Sequence, residues 1–330
     1  MKTQNIIKTG SLVGFVIVLC LADVFAATST DELYQKAISE MHQRNNNAAI
    51  QLMDAVLASD DANDILRINI HRLRAGLIYF ENPESARSDC NRAVMIAKSL
   101  IAERLKGNTN LSQEYLIAAC DKYGKTMWIA GDILCKDDLY LEAATLNRSY
   151  SEDVFKLGPF FDENGRRKLV DFAIEGWREA ARIMVNAKQT EEAHDICSNA
   201  EAVLNKIDWA TSEITEKAIY TMQMGALITS DINDELFGAA AANLIEKNKT
   251  KSWIVDSSFD VHRMSSLKRE YELYTALIKA QPTTADDYSM ALLYRSAYRT
   301  ARELDRPEEA VTYYKTLKQK YPNEAISAFP

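Results

Sequence analysis

The stretch ALLYRSAYRTARELDRPEEAVTYYKTLKQKYPN, residues Ala291–Asn323, decides how the rest of the chain is read. On its first half Tyr294, Ala297, Tyr298 and Ala301 recur at three- and four-residue intervals, and on its second half Ala310, Tyr314 and Leu317 do the same. That is the spacing of one helix face. Asp-Arg-Pro-Glu between the halves is a turn, and its Pro307 suits the first position of a following helix. Pro322 closes the unit. The spacing predicts two antiparallel helices, with small residues at their closest approach and larger ones filling the groove between units.

Working outward, the same alternation returns upstream. Trp177, Ala180, Ala181 and Met184 lead a unit whose second half carries Ala193, Cys197 and Ala200. Met127, Ala130, Gly131 and Leu134 lead another, followed by Ala143, Asn147 and Tyr150, with a polar Asn where an aromatic is usual. Ala75, Gly76 and Tyr79, then Ala86, Cys90 and Ala93, form a third with a shorter connecting turn. Between Leu33 and Asp61 two registers compete: Ala37 with Ala49, or Ala48 with Ala55. From Ile214 to Gln281 the pattern is helical but degenerate, and Pro282 ends a helix there. These residues resemble the tetratricopeptide repeat, a 34-residue helix–turn–helix. The resemblance implies an all-α fold, a right-handed superhelical array of antiparallel helix pairs (a TPR-like α-solenoid) whose first helices line a concave binding surface. It implies partner binding more than any particular chemistry.

Composition agrees. The 330 residues include only 11 Gly and 6 Pro, roughly 5% against about 12% in ordinary chains, so folds built on many tight turns are disfavoured. Hydrophobic residues at 47% permit a buried core. A net charge of −8 argues against nucleic acid as a general partner.

Lys2 and Lys8 flank a polar start, an apolar run follows from Leu12 to Ala22, and Val24 and Ala26 suit a cleavage pocket. This is the pattern of a secretory signal over residues 1–26, too short to span a membrane. Cys20 belongs to its apolar run. The chain is expected to be cleaved after Ala26, to be periplasmic or secreted, and to keep no stable membrane insertion. Removing Lys2, Lys8 and Asp23 leaves the mature chain one charge more negative. Cys90, Cys120, Cys135 and Cys197 remain, as buried small hydrophobes or as disulfides. Cys120 and Cys135 on one helix would stand about 22 Å apart, too far to bridge.

Two segments break the rhythm. Residues 155–168 carry the turn signals Gly158-Pro159 and Asn164-Gly165, and read as a loop insertion. Its Phe160 and Phe161 are either an exposed anchor for a partner or a pair folded back on a helix. Residues 248–266 read as an irregular connection between repeats 27–247 and repeats 267–330. Asn110, Asn147 and Asn248 head glycosylation sequons.

No motif of nucleophilic, metal or phosphate chemistry is present, and His42, His71, His194 and His262 fall on separate units. No enzyme activity, metal or cofactor is expected. Arg178 and Arg182 share one helix face, and Arg295, Arg299 and Arg302 form a stripe at i, i+4 and i+7. Such a set suits a carboxylate or phosphate through bidentate geometry. By resemblance it would be similar to the carboxylate clamp of some tetratricopeptide proteins, holding a peptide C-terminus. The bland alternative is a solvated face paired to Glu179 and Glu303. The ending also resembles repeats of bacterial cell-envelope assembly and division-coordination proteins. The expectation is an exported scaffold or adaptor for a protein or peptide partner bearing an acidic group. The alternative is an enzyme or binding protein for a small anionic ligand, using the insertion and the arginine stripes.

Overall fold

A computed structural model describes residues 29–207, 212–261 and 265–322. The expected signal segment with Ala26 and Cys20, and also His262 and Asn323, lie outside them. Among the described residues are fourteen α-helices and no strand, so the all-α expectation holds. They are α1 (Thr30–His42), α2 (Asn46–Ala58), α3 (Asp64–Ile78), α4 (Pro83–Leu105), α5 (Gln113–Lys136), α6 (Tyr140–Phe155) and α7 (Glu163–Asn186). There follow α8 (Thr190–Leu204), α9 (Ser212–Thr229), α10 (Asp234–Asn248), α11 (Ile254–Val261), α12 (Leu267–Ala280), α13 (Asp287–Glu303) and α14 (Pro307–Lys320). No described helix is long and apolar enough to cross a membrane.

The helices alternate in how they begin. Those that lead a pair start from a side-chain cap: Ser29, Ser112, Asp162 and Asp286 each accept a hydrogen bond from the backbone N–H three residues on. This satisfies one of the donors a helix start leaves open. Their partners α2, α6, α8 and α14 have no such cap. They begin instead from a tight three-residue turn whose middle residue is left-handed: Arg44 (φ 62°), Asp138 (φ 59°), Lys188 (φ 61°) and Asp305 (φ 55°). In each turn the next N–H reaches back five residues, from Asn45 to Glu40 (2.9 Å), Leu139 to Leu134 (3.0 Å), Gln189 to Met184 (2.9 Å) and Arg306 to Ala301 (2.9 Å). That is the 6→1 bond of a Schellman ending. The fourth residue of each second helix is a buried alanine: Ala49, Ala143, Ala193 and Ala310. Burial of Ala49 beside Ala37 decides the first unit's register in favour of that pair, because Ala48 is only half-buried.

A left-handed lysine is strained by its Cβ. Lys188→Gly is therefore expected to stabilise the chain by about 0.5–1 kcal/mol, net of glycine's extra freedom when unfolded. Ala187→Gly, one residue earlier at φ −76°, is expected to destabilise it. Urea midpoints compare the two, and equal midpoints would contradict the assignment of strain.

The chain divides into two compact units, one up to Ala97 and one from Lys98. In the first, α1 packs on α2 and α2 on α3, around Leu33, Ala37, Leu52, Met53, Val56, Ala62 and Ile70. Arg67 donates to the carbonyls of Leu57 (3.2 Å), Ser59 (2.8 Å) and Ala62 (2.9 Å), tying down the α2–α3 turn. His71 Nδ1 lies 2.8 Å from the Asp89 carboxylate, and both are buried.

In the second unit each helix packs on its successor from α5 to α9, and α5 also meets α7, α7 meets α9, and α9 meets α11. Further on, α10 packs on α12, α12 on α13 and α13 on α14. One continuous apolar core runs from Ala143 and Ala144 to Leu293 and Ala297, and it includes Ile254, Val255 and Val261. Residues 248–266 are therefore not an irregular connection: α11 fills their middle and belongs to that core. Its stripe is hidden in the sequence because Ser257 and Ser258 share the buried face. Ser258 bonds back to the Ile254 carbonyl (2.8 Å) and meets the Tyr220 hydroxyl (2.5 Å).

The expected insertion at 155–168 also shrinks. Phe155 ends α6, a short 3-10 turn spans Gly158–Phe160, and residue 163 already opens α7. Asn164-Gly165 is not a turn. Gly165 donates to the capping Asp162 carboxylate (2.8 Å) inside the first turn of α7. A Cβ at Gly165 would lie 2.6 Å from the Phe161 ring, so packing requires the glycine there.

Candidate binding surface

The structure distributes the five arginines among different environments. Arg178, on α7, has a side chain only 13% exposed and pairs with Glu175 and with Asp260 of α11 (3.2 Å). Arg182 grips Glu179 through two nitrogens, Nε at 2.8 Å. Near them Asp132 of α5 is raised above the usual carboxylate range, chiefly by partial withdrawal from water and then by Glu179, with Arg182 opposing. The α7 pair is thus largely spent on internal carboxylates, as the bland alternative supposed.

The α13 stripe differs. Arg299 pairs with Glu270 of α12 (2.8 Å) and reaches Glu303 at 3.9 Å. Arg302 lies over the Tyr298 ring, 5.6 Å from its centroid, and donates to its hydroxyl (3.2 Å). Arg295 is exposed and has no hydrogen-bond or ion-pair partner among the described residues. Among the described residues no carboxylate pairs with Arg295 or Arg302, whereas Arg299 is held by Glu270.

The two phenylalanines separate. Phe161 is buried at 3% exposure, folded against the start of α7, so it is not an exposed anchor. Phe160 keeps 37% of its surface exposed beneath Arg104, whose guanidinium is 5.7 Å from the ring and donates to the Phe160 carbonyl (3.2 Å). The Gly158-Pro159 turn points one ring in and leaves the other at the surface.

Two clefts flank α7. One, of about 150 Å³, is lined by Arg167, Asp171 and Ile174 of α7, Glu213, Ile214 and Lys217 of α9, and by Ser252 and Trp253. Asp171 in it is raised by partial burial against the pull of Lys217 and Arg167. The other, of about 560 Å³, lies between the starts of α5 and α7, where Asp121 and Lys168 face it. The Asp121 carboxyl is held below its ordinary range by Lys122 and Lys125, which outweigh its partial burial.

The remaining reactive groups serve packing. Cys90, Cys120, Cys135 and Cys197 are free thiols, and burial pushes Cys90, Cys120 and Cys197 up to about 12. A thiol so raised is a poor nucleophile at neutral pH. His194 Nδ1 bonds the Ala226 carbonyl (2.9 Å), which joins α8 to α9 and leaves Nε2 as acceptor for Ser198 (3.4 Å). Asn147 is 1% exposed and donates to the Ala143 carbonyl (3.0 Å), so its sequon is closed to glycosylation in the folded chain. Asn110 is exposed.

The sequence did not single out Arg269, which gathers a whole loop, and it marked Tyr298 and Tyr314 as packing residues, not as partners of the α13 and α14 cations. The interval between Tyr298 and Arg302 was the available signal for the second. Among known proteins, no family model matches the chain and no curated protein matches it in sequence.

Proposed function

We propose that the chain is an exported, non-catalytic helical-repeat scaffold, a TPR-like right-handed superhelical array that binds a protein or peptide partner on the surface of its leading helices. The observation that carries this reading is the fourfold recurrence of one turn. A capped leading helix, a left-handed residue, a five-residue back-bond and a buried alanine return at Arg44, Asp138, Lys188 and Asp305. A helix pair of this kind exposes its apolar face when alone, and stacking buries it. Repetition of that sort builds a surface more readily than a reaction centre. Periplasmic or secreted location follows from the N-terminal signal pattern, and a place in cell-envelope assembly from the resemblance of the ending.

The test is affinity capture with the mature chain in its own envelope or medium, beside small-angle scattering of the purified protein. An elongated, curved envelope and a specific partner set are expected. Arg295→Glu is expected to weaken capture of a partner that offers an acidic group. A compact spherical envelope with no captured partner would remove the proposal.

A further inference from the structure

We infer that the exposed face shared by α13 and α14 is a docking strip for an acidic peptide segment of a partner protein. The inference rests on the scaffold reading and narrows it to one place.

The strip is built from two helix edges. On α13, Tyr288, Arg295 and Arg302 are seven residues apart and so lie almost in line, with Tyr298 beside them toward α14. On α14, Tyr314 and Lys318 are one turn apart. The Tyr298 and Tyr314 rings meet with centroids 5.6 Å apart, which joins the two edges into one surface. Neighbouring Tyr313 lies against Tyr271 of α12, Tyr298 is packed on the same apolar cluster, and Tyr298 and Tyr314 both stay half-buried. Tyr288 is 62% exposed, and Arg295, Arg302 and Lys318 are all exposed.

The charge on this strip opposes that of the protein. The chain as a whole carries −8, yet these positions hold three cations and no carboxylate. Of the other acids of the hairpin, Asp286 caps α13 and Asp287 lies in its first turn, Glu303 is turned toward Arg299, Asp305 sits in the connecting turn, and Glu308 and Glu309 lie in the first turn of α14, where they complement the helix dipole. Arg299 is excluded because Glu270 already occupies it.

The cations are also held in place by rings rather than by counter-charges. Arg302 lies over Tyr298, and Lys318 lies over Tyr314 at 5.0 Å from its centroid. A cation on a ring face is positioned without being neutralised. It remains able to receive a carboxylate, and the aromatic seam beneath offers apolar contact for the intervening side chains. Opposite charge set around a ring core favours a segment that alternates acidic and apolar residues. A small free anion would engage the cations but leave the seam bare.

The probe is a fluorescein-labelled twelve-residue peptide alternating Glu and Leu, with Gln/Leu and Lys/Leu versions, measured by fluorescence anisotropy on the intact mature chain. The Glu/Leu peptide is expected to bind in saturable fashion, the other two at least about tenfold more weakly. Arg295→Glu combined with Arg302→Glu is expected to weaken the Glu/Leu peptide about tenfold or more, and Tyr314→Ala to weaken it without altering the salt dependence. Lys247→Glu, at an exposed position of α10, is expected to change nothing. Circular dichroism confirms that each variant is folded. Absence of binding by the wild-type chain, or equal binding by the Arg295/Arg302 variant, overturns the strip. The scaffold reading is scored separately: a partner captured equally by wild type and by that variant overturns the strip and leaves the scaffold standing.

Discussion

Arg269→Ala is expected to cost about 3–5 kcal/mol, because it strips a buried cation from several acceptors at once. The Arg269 side chain, 13% exposed, stands at the start of α12. Its guanidinium donates to the carbonyls of Leu227 (3.4 Å), Ile228, Ser230 (2.8 Å) and Ile232, and to the Asp234 carboxylate (3.3 Å). It also lies 5.3 Å from the centroid of the Phe237 ring. The end of α9 and the link to α10 thus have their open carbonyls satisfied by one side chain from another helix. Asp234 is held below the usual carboxylate range by Lys268 and Arg269 together. Arg269→Lys is expected to recover only a minority of the loss, since an ammonium cannot fork to acceptors spread over a plane. Urea unfolding measures the cost, and amide exchange is expected to show residues 227–237 opening first. A loss below about 1 kcal/mol would mean that water replaces the arginine at little cost.

Gly176→Val is expected to cost about 3 kcal/mol through overpacking. Gly176 sits where α7 crosses α6. A Cβ there would collide with Ser151 Oγ, lie 2.8 Å from the Tyr150 ring and 2.9 Å from the Asn147 carbonyl oxygen. The last contact is backbone, so no rotamer change relieves it. Tyr150 is not free to swing either: its hydroxyl donates to the Cys120 carbonyl (3.1 Å) and its ring meets Tyr123 edge-on at 4.9 Å. Gly131→Ala is the contrast. Its Cβ would meet only the Asn147 amide at 3.2 Å and Ile183 at 3.7 Å, and alanine's helix propensity gains about 1 kcal/mol over glycine. Near-neutral stability is expected there. Thermal or urea unfolding ranks the two, and the reverse order would contradict the packing account. The side chain at position 147 is similarly enclosed: Asn147 is 1% exposed, and its amide lies 3.2 Å from where a Cβ at Gly131 would stand and donates back to the Ala143 carbonyl of its own helix.

The helix pairs were legible because the signals are local. Ala180, Ala181 and Ala193 mark close approach by size alone. The cap at Asp162 was not legible, because Asn164-Gly165 directly after it is a turn signal in the sequence yet lies inside the first turn of α7. Of the left-handed turns, the last was legible as a turn through Asp305-Arg306-Pro307-Glu308. The other three carry neither Gly nor Pro: Arg44, Asp138 and Lys188 occupy the strained position, and the fixed geometry of the helix pair imposes it. Residues 254–261 escaped because Ser257 and Ser258 read as polar surface, although both are buried with one serine bonding inward. The division at Ala97 and Lys98 escaped as well, because it falls inside α4, where helix periodicity continues without a break.

Among the site residues, the sequence placed the five arginines on helix faces but not against their neighbours. Arg178 and Arg295 look alike in the chain. The first is tied to Asp260, far along the sequence, and the second meets no carboxylate among the described residues.

By itself, then, the sequence determined the helical class, the pairing of Ala- and Tyr-bearing helices and the acidic balance, since these depend on spacing within a turn or two of one helix. Only the tertiary structure decided which glycine is crowded, which phenylalanine is buried and which cations remain available. Those outcomes depend on side chains brought together from separate helices, and no local pattern encodes which carboxylate will arrive beside a given arginine.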